Sequence, residues 1–192
     1  NISNTVNKTF IYDSLHLLSI SPTSGHGGEN VTINGTCLGE VNNATFSGIS
    51  ANIVSKEYGQ IVCTVPETAP FGINEVTVSD AVSNADNSLT FEVYPYITSI
   101  EPSAGNYGTQ VSISGTNFGN GLNSSVTIGG VTQGVTQWAS TFIYINVASG
   151  TPNGNVVVHV PGYDTDGVPF IIDTNLPIAI ITSPAANSYN KE

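Results

Sequence analysis

Three histidines, two cysteines and fourteen carboxylates are the residues of this chain best equipped for chemistry, and their spacing supports little of it. His16, His26 and His159 fall on a first strand, in a glycine turn and on a late strand. None belongs to an H-E-x-x-H metal pattern, and no serine sits in a G-x-S-x-G elbow. His159, between Val158 and Val160, reads as an outward strand residue rather than a base. A glycosidase pair has no local support among the scattered carboxylates. In GYDTDG, Asp164 and Asp166 could offer oxygens to Ca²⁺, but the other EF-hand ligands are missing and an Asp-rich hairpin turn accounts for the segment. Gly-rich turns such as GNYGTQ lack the lysine and following helix of a phosphate loop. The expectation is a protein that is not an enzyme and has no cofactor.

The two cysteines carry a different chemistry. Cys37 follows one predicted strand and Cys63 lies inside another, so a disulfide across the fold is expected, worth roughly 3–4 kcal/mol by loop closure and pointing to an oxidising compartment. The alternative is a pair of buried thiols in a reducing one. Six Asn-x-Ser/Thr sequons begin at Asn1, Asn7, Asn30, Asn34, Asn43 and Asn123. Asn30 and Asn34 lie on the strand face opposite Val31 and Ile33, where N-linked glycans would reach solvent in a eukaryotic source. Trp138 stands alone in QWASTF. One tryptophan does not establish a carbohydrate platform, and a core or interdomain place is expected.

The elements that must position these residues alternate with period two. NVTINGT, EVTVSD, SLTFEVY, VSISGT, FIYINV and NVVVHV each set aliphatics on one face, and Gly and Pro clusters part them at short intervals. No stretch has convincing helical spacing. Hydrophobic residues are 39% of the chain, enough for a core. Lys8, Lys56 and Lys191 are its only cations against a net charge of -11, so a phosphate backbone or an anionic membrane surface finds repulsion and almost nothing to contact. No apolar run reaches the ~20 residues of a membrane span. The start at Asn1 suggests a processed chain or a window of a longer one, with solubility from Asn, Ser and Thr suiting an extracellular surface.

The pattern repeats. Pro22, Gly25, Gly28, Val31, Ile33, Gly35, Thr36 and Gly39 recur 80 residues later as Pro102, Gly105, Gly108, Val111, Ile113, Gly115, Thr116 and Gly119. Beyond an insertion the offset becomes 82, aligning Gly48 with Gly130, Ile61 with Ile143, Val65 with Val147, Gly72 with Gly154, and Val76 and Val78 with Val158 and Val160. Phe91 meets Phe170 at 79. These are turn glycines and inward aliphatics, the positions a shared backbone dictates. The chain is therefore expected to be all-β, two tandem sandwiches at 15–95 and 96–174 between extensions at 1–14 and 175–192.

ISPTSGHGGENVTINGTCLG and IEPSAGNYGTQVSISGTNFG resemble the opening of the immunoglobulin-like fold shared by plexins and transcription factors, the IPT/TIG family. ATFSGI, VTIGGV and IVCTVP resemble its later strands. The resemblance implies tandem immunoglobulin-like sandwiches. It does not imply the DNA binding of the transcription-factor branch, whose basic residues are missing here.

The extensions resemble orphaned pieces of the same module. Thr9, Phe10, Ile11, Tyr12 and Asp13 (TFIYD) are similar to the closing strands TFEVY and PFIID, while Ile178, Ala179, Ile180, Ile181 and Thr182 begin a segment similar to the opening strand, with Pro184 in place of Pro22 and Pro102. An unpaired strand seeks a neighbour's sheet edge, and head-to-tail contacts of that kind generate filaments. The leading expectation is an extracellular fibre subunit joined to copies of itself through these strands. The alternatives are a receptor or adhesin ectodomain that binds another cell-surface protein, and a spacer in a secreted enzyme.

Overall fold

A computed structural model describes residues 14–81 and 85–174 of the chain. The first module runs β1 (His16–Ser21), β2 (Ser24–Gly25), β3 (Asn30–Thr36), a 3₁₀ turn at Leu38–Glu40, β4 (Val41–Phe46), β5 (Ile49–Ser50), β6 (Asn52–Glu57), β7 (Gln60–Thr64), β8 (Gly72–Asp80) and β9 (Ala85–Val93). The second runs β10 (Tyr96–Glu101), β11 (Ala104–Gly105), β12 (Gln110–Thr116), β13 (Ser125–Ile128), β14 (Val131–Thr132), β15 (Gly134–Trp138), β16 (Phe142–Asn146), β17 (Gly154–Val160), β18 (Tyr163–Asp164) and β19 (Val168–Ile172). Each module stacks two sheets: β1-β3-β7-β6 on β2-β9-β8-β4-β5, and β10-β12-β16-β15 on β11-β19-β17-β13-β14 with β18 beside β17. The chain is thus two tandem all-β immunoglobulin-like sandwiches.

Alternation decides which face is buried. Val31, Ile33, Phe46, Ile61, Cys63, Val76, Val78 and Phe91 fill the first core, with Phe46 and Phe91 edge to face at 5.5 Å. Val111, Ile113, Phe118, Ile128, Ile143, Val156, Val158 and Phe170 fill the second. The repeated Gly-Thr pair has a backbone cause. A Cβ on Gly35 would stand 2.2 Å from the His16 carbonyl oxygen, and one on Gly115 2.2 Å from that of Tyr96, so only glycine lets β3 lie so close to β1 and β12 to β10. Among the described residues no helix is long and apolar enough to cross a membrane.

Two expectations from the sequence fail in the structure. Register sets Cys63 opposite Val31, while Cys37 lies six residues further along the same strand direction, about 20 Å away at ~3.3 Å per residue. A disulfide needs Cα atoms within ~7 Å, and none joins Cys37 to Cys63. The Cys63 thiol lies in the core, where burial pushes it up to about 12, and Cys37 Sγ lies 3.7 Å from Tyr58 Oη.

The second is the alignment of the two copies along their later strands. Phe46 pairs with Val76 and Ile128 with Val156; Val76 pairs with Leu89 and Val156 with Val168. Val76 and Val78 therefore correspond to Val156 and Val158, not to Val158 and Val160, and Asn74, not Gly72, to Gly154. A slip of two residues keeps every side chain on its own face, so alternation cannot detect it. Its origin is a longer loop in the first module: eight residues (66–73) lie between Val65 and Asn74, against six (148–153) between Val147 and Gly154.

Candidate functional site: the junction between the modules

The longer loop ends at the second module. Asn117, just past β12, is fully buried and holds a left-handed φ of 60°, which Asn tolerates better than most residues. Its amide oxygen accepts the Gly27 N–H at 2.6 Å, and its amide nitrogen donates to the Ala69 and Pro66 carbonyls at 2.9 and 3.2 Å. Its own backbone N–H donates to the Glu67 carbonyl at 3.0 Å. One side chain thus plugs a socket of first-module backbone groups that would otherwise be buried without partners. The socket needs Gly27: a Cβ there would lie 2.5 Å from Glu67 Cα and 2.9 Å from Asn117 Oδ1. The loop is also held from its own module, since buried Asn74 donates to the Pro70 and Gly72 carbonyls at 2.7 and 2.9 Å.

Aromatic and acidic groups complete the junction. Phe71 packs against the second core and meets Tyr163 edge-on at 6.0 Å. The Tyr163 hydroxyl donates to Glu92 at 3.0 Å, and that bond to a carboxylate, with burial, raises its pKa. His26 stacks on Tyr96 at 4.0 Å, with Glu29 3.4 Å from its ring nitrogen. Burial raises the Tyr94 pKa, helped by the charges of Glu29 and Asp166, one from each module.

Beside the plug opens a cleft of about 630 Å³, walled by Thr68–Phe71 from one module and by Gly119, Asn120 and 138–140 from the other. Trp138 lines it, half-buried, its indole N–H donating to the Phe118 carbonyl at 3.1 Å.

Of the residues singled out by sequence, His26 and Trp138 lie at this junction and others lie away from it. His16 pairs with Asp86 at 2.8 Å. His159 bonds Thr127 at 2.9 Å and Asp164 at 2.7 Å, so Asp164 is engaged in the β17–β18 hairpin. No group of three metal-ligating side chains forms among the described residues. Asn30, Asn43 and Asn123 are exposed, Asn30 accepting from Thr64. Asn34 is half-buried, donating to Ser19 at 3.2 Å and accepting from Gln60 at 3.0 Å. Asn1, Asn7, Thr9–Asp13 and Ile178–Thr182 lie outside the described residues. Sequence reading missed Gly27, Phe71, Asn74, Asn117 and Tyr163 as a site. The signal available was departure from the repeat: Gly27 where the second module has Tyr107, and Asn117 where the first has Cys37.

Among curated proteins, none matches the sequence. Among solved structures, the chain is similar to the plexin A4 extracellular region (23% identity, 80% of this chain and 18% of that one, TM-score 0.38). It is also similar to the surface glycan-binding protein PbSGBP-B of Prevotella bryantii (18%, 82% and 41%, TM-score 0.46). A third likeness is to the SGBP-B of the Bacteroides ovatus mixed-linkage glucan utilization locus (18%, 86% and 44%, TM-score 0.37). The chain spans less than half the length of each. The family model described as the IPT/TIG domain matches residues 15–93 and again 95–172, and the chain belongs to that family, in two tandem copies.

Proposed function

We propose that this chain is a non-catalytic, extracellular structural protein in which IPT/TIG modules are locked end to end, and that copies of it join head to tail into a fibre. The observation that carries the reading is the plug at Asn117, which engages four backbone groups of the preceding module. A linker alone would leave two modules free to swivel, the default for small polar interdomain contacts. Buried hydrogen bonds with fixed geometry instead pass orientation from module to module, the property a filament or stalk uses.

The joints between copies in this reading are Thr9–Asp13 and Ile178–Thr182, whose sequences resemble the modules' closing and opening strands and which would complete a neighbour's sheet by edge pairing. Negative-stain microscopy and size-exclusion chromatography test this on the full chain and on one lacking residues 1–14. Filaments from the first and folded monomers from the second are expected. Filaments from the truncated chain, or monomers from both, would overturn it; the latter result would favour recognition of another surface molecule, for which the open cleft at the junction speaks.

A further inference from the structure

We propose that the cleft between the modules binds a short neutral saccharide. The site does not depend on whether copies polymerise. Its wall residues are departures from the repeat that a sandwich does not require. Trp138 stands where the first module has Lys56, and Asn120 where it has Glu40, so both charges at this place have become neutral side chains. Phe71 sits in the stretch by which the first module's loop is longer. None of the lining residues is charged. With a net charge of -11 around it, such a pocket disfavours anions and offers a cation no paired carboxylate.

The remaining chemistry is amphipathic. Two aromatic residues, Phe71 and Trp138, come from opposite modules, and Thr68, Asn120 and Ser140 line the cleft with them; the Asn120 amide oxygen accepts the Leu122 N–H at 3.0 Å, which leaves its amide nitrogen as a donor. Sugar rings present apolar C–H faces and polar edges, which aromatic walls and neutral hydrogen-bonding groups match. A peptide would bring backbone groups that want a strand edge, yet Trp138 is the only lining residue that belongs to a strand. The walls are preformed. Asn117 and Asn74 hold the 66–73 loop through five carbonyl bonds, and glycine backbone backs each ring, since a Cβ would stand 2.8 Å from Phe71 at Gly119 and 2.7 Å from Trp138 at Gly121. A fixed cleft spares a ligand the cost of ordering it. A volume of about 630 Å³ is within the range of small-ligand sites.

Trp138 is the only tryptophan of the chain, so its fluorescence reports this cleft directly. The full chain is titrated with hexasaccharides of β-glucan, xylan and mannan, and with an oligogalacturonate as acidic control. The expected result is a saturable change with at least one neutral hexasaccharide, with Kd below about 1 mM, and none with the acidic one. Ser140→Tyr, which fills the cleft, and Asn120→Ala, which removes the amide, should each weaken that binding about tenfold or more, with far-UV circular dichroism unchanged. No saturable response to any neutral probe up to about 10 mM, equal response to the acidic probe, or undiminished binding by both folded variants would overturn the proposal.

Discussion

Gly27 and Tyr107 occupy the same turn in the two modules, and the far ends of the modules diverge from there. In the first, the Gly27 N–H is given to Asn117 of the next module, whose side chain also takes the Pro66 and Ala69 carbonyls. In the second, the Tyr107 N–H is satisfied by its own neighbour, Asn106, at 2.7 Å. The second module's shorter loop is likewise held from inside: buried Gln133, where the first module has Ala51, accepts the Ala148 N–H at 2.8 Å and donates to Thr151 at 3.1 Å. The same loop is held from within in one copy, and in the other both from within by Asn74 and from the next module by Asn117. A repeat protein can thus set where its modules lock together without altering the sandwich, by choosing whose side chain satisfies one loop.

The strongest way to break that contrast is to give the first module the second's residue. In Gly27→Tyr the new Cβ meets Glu67 backbone at 2.5 Å and expels the Asn117 amide. The junction should open, and a single cooperative melt by calorimetry should become two transitions. The reciprocal Tyr107→Gly should stay within about 0.5 kcal/mol. One unchanged transition in Gly27→Tyr would show that the plug does not couple the modules.

Removing the plug itself should come next. Asn117→Gly keeps the left-handed backbone but strands the Gly27 N–H and two carbonyls, a loss of about 2–4 kcal/mol from the coupled unit by chemical denaturation. Asn117→Ala should lose about 1 kcal/mol more, because alanine is strained at that φ. Equal losses in the two would mean that conformation matters less than the bonds. Asn74→Ala, which frees the Pro70 and Gly72 carbonyls, should cost about 1–2 kcal/mol and loosen the cleft wall; protection of the Phe71 and Gly72 amides from exchange should fall while that of Asn153 and Gly154 is unchanged.

The fold was legible because strand alternation and turn glycines are local signals: Val31, Ile33, Val111 and Ile113 announce their faces, and Gly35 and Gly115 mark close approaches of paired strands. The family resemblance drew on the same residues. The disulfide was misread because strand membership does not say how far along a strand a cysteine sits; the register separating Cys37 from Cys63 is a pairing fact. The two-residue slip in β17 escaped because parity is blind to it. The junction was hidden for another reason. Asn117 bonds residues 48 to 90 positions away, and nothing in GTNFG says that an asparagine will enter another module rather than cap its own turn.

The smallest effect separates the modules by pH. Burial alone would raise the Asp86 carboxyl, but N–H bonds from Leu17 and Ser88, with the Ser88 and His16 side chains, outweigh it and hold the pKa at about 2 against an ordinary 3.8. This carboxylate ties β9 to β1, with Leu17 N–H and His16 Nδ1 each 2.8 Å from Oδ2. The folded pKa lies below the unfolded one, so the contribution is complete above about pH 4 and is lost as pH falls toward 2. The second module has Thr165 at this place, bonding the Val158 N–H through a hydroxyl that does not titrate in this range. Acidification should therefore weaken exchange protection of the first module's Leu17 amide before that of Ile97, its counterpart. Asp86→Asn should abolish the difference in pH response. If the variant kept it, some other carboxylate of the first module would be responsible, and the asymmetry would not belong to this strand pair.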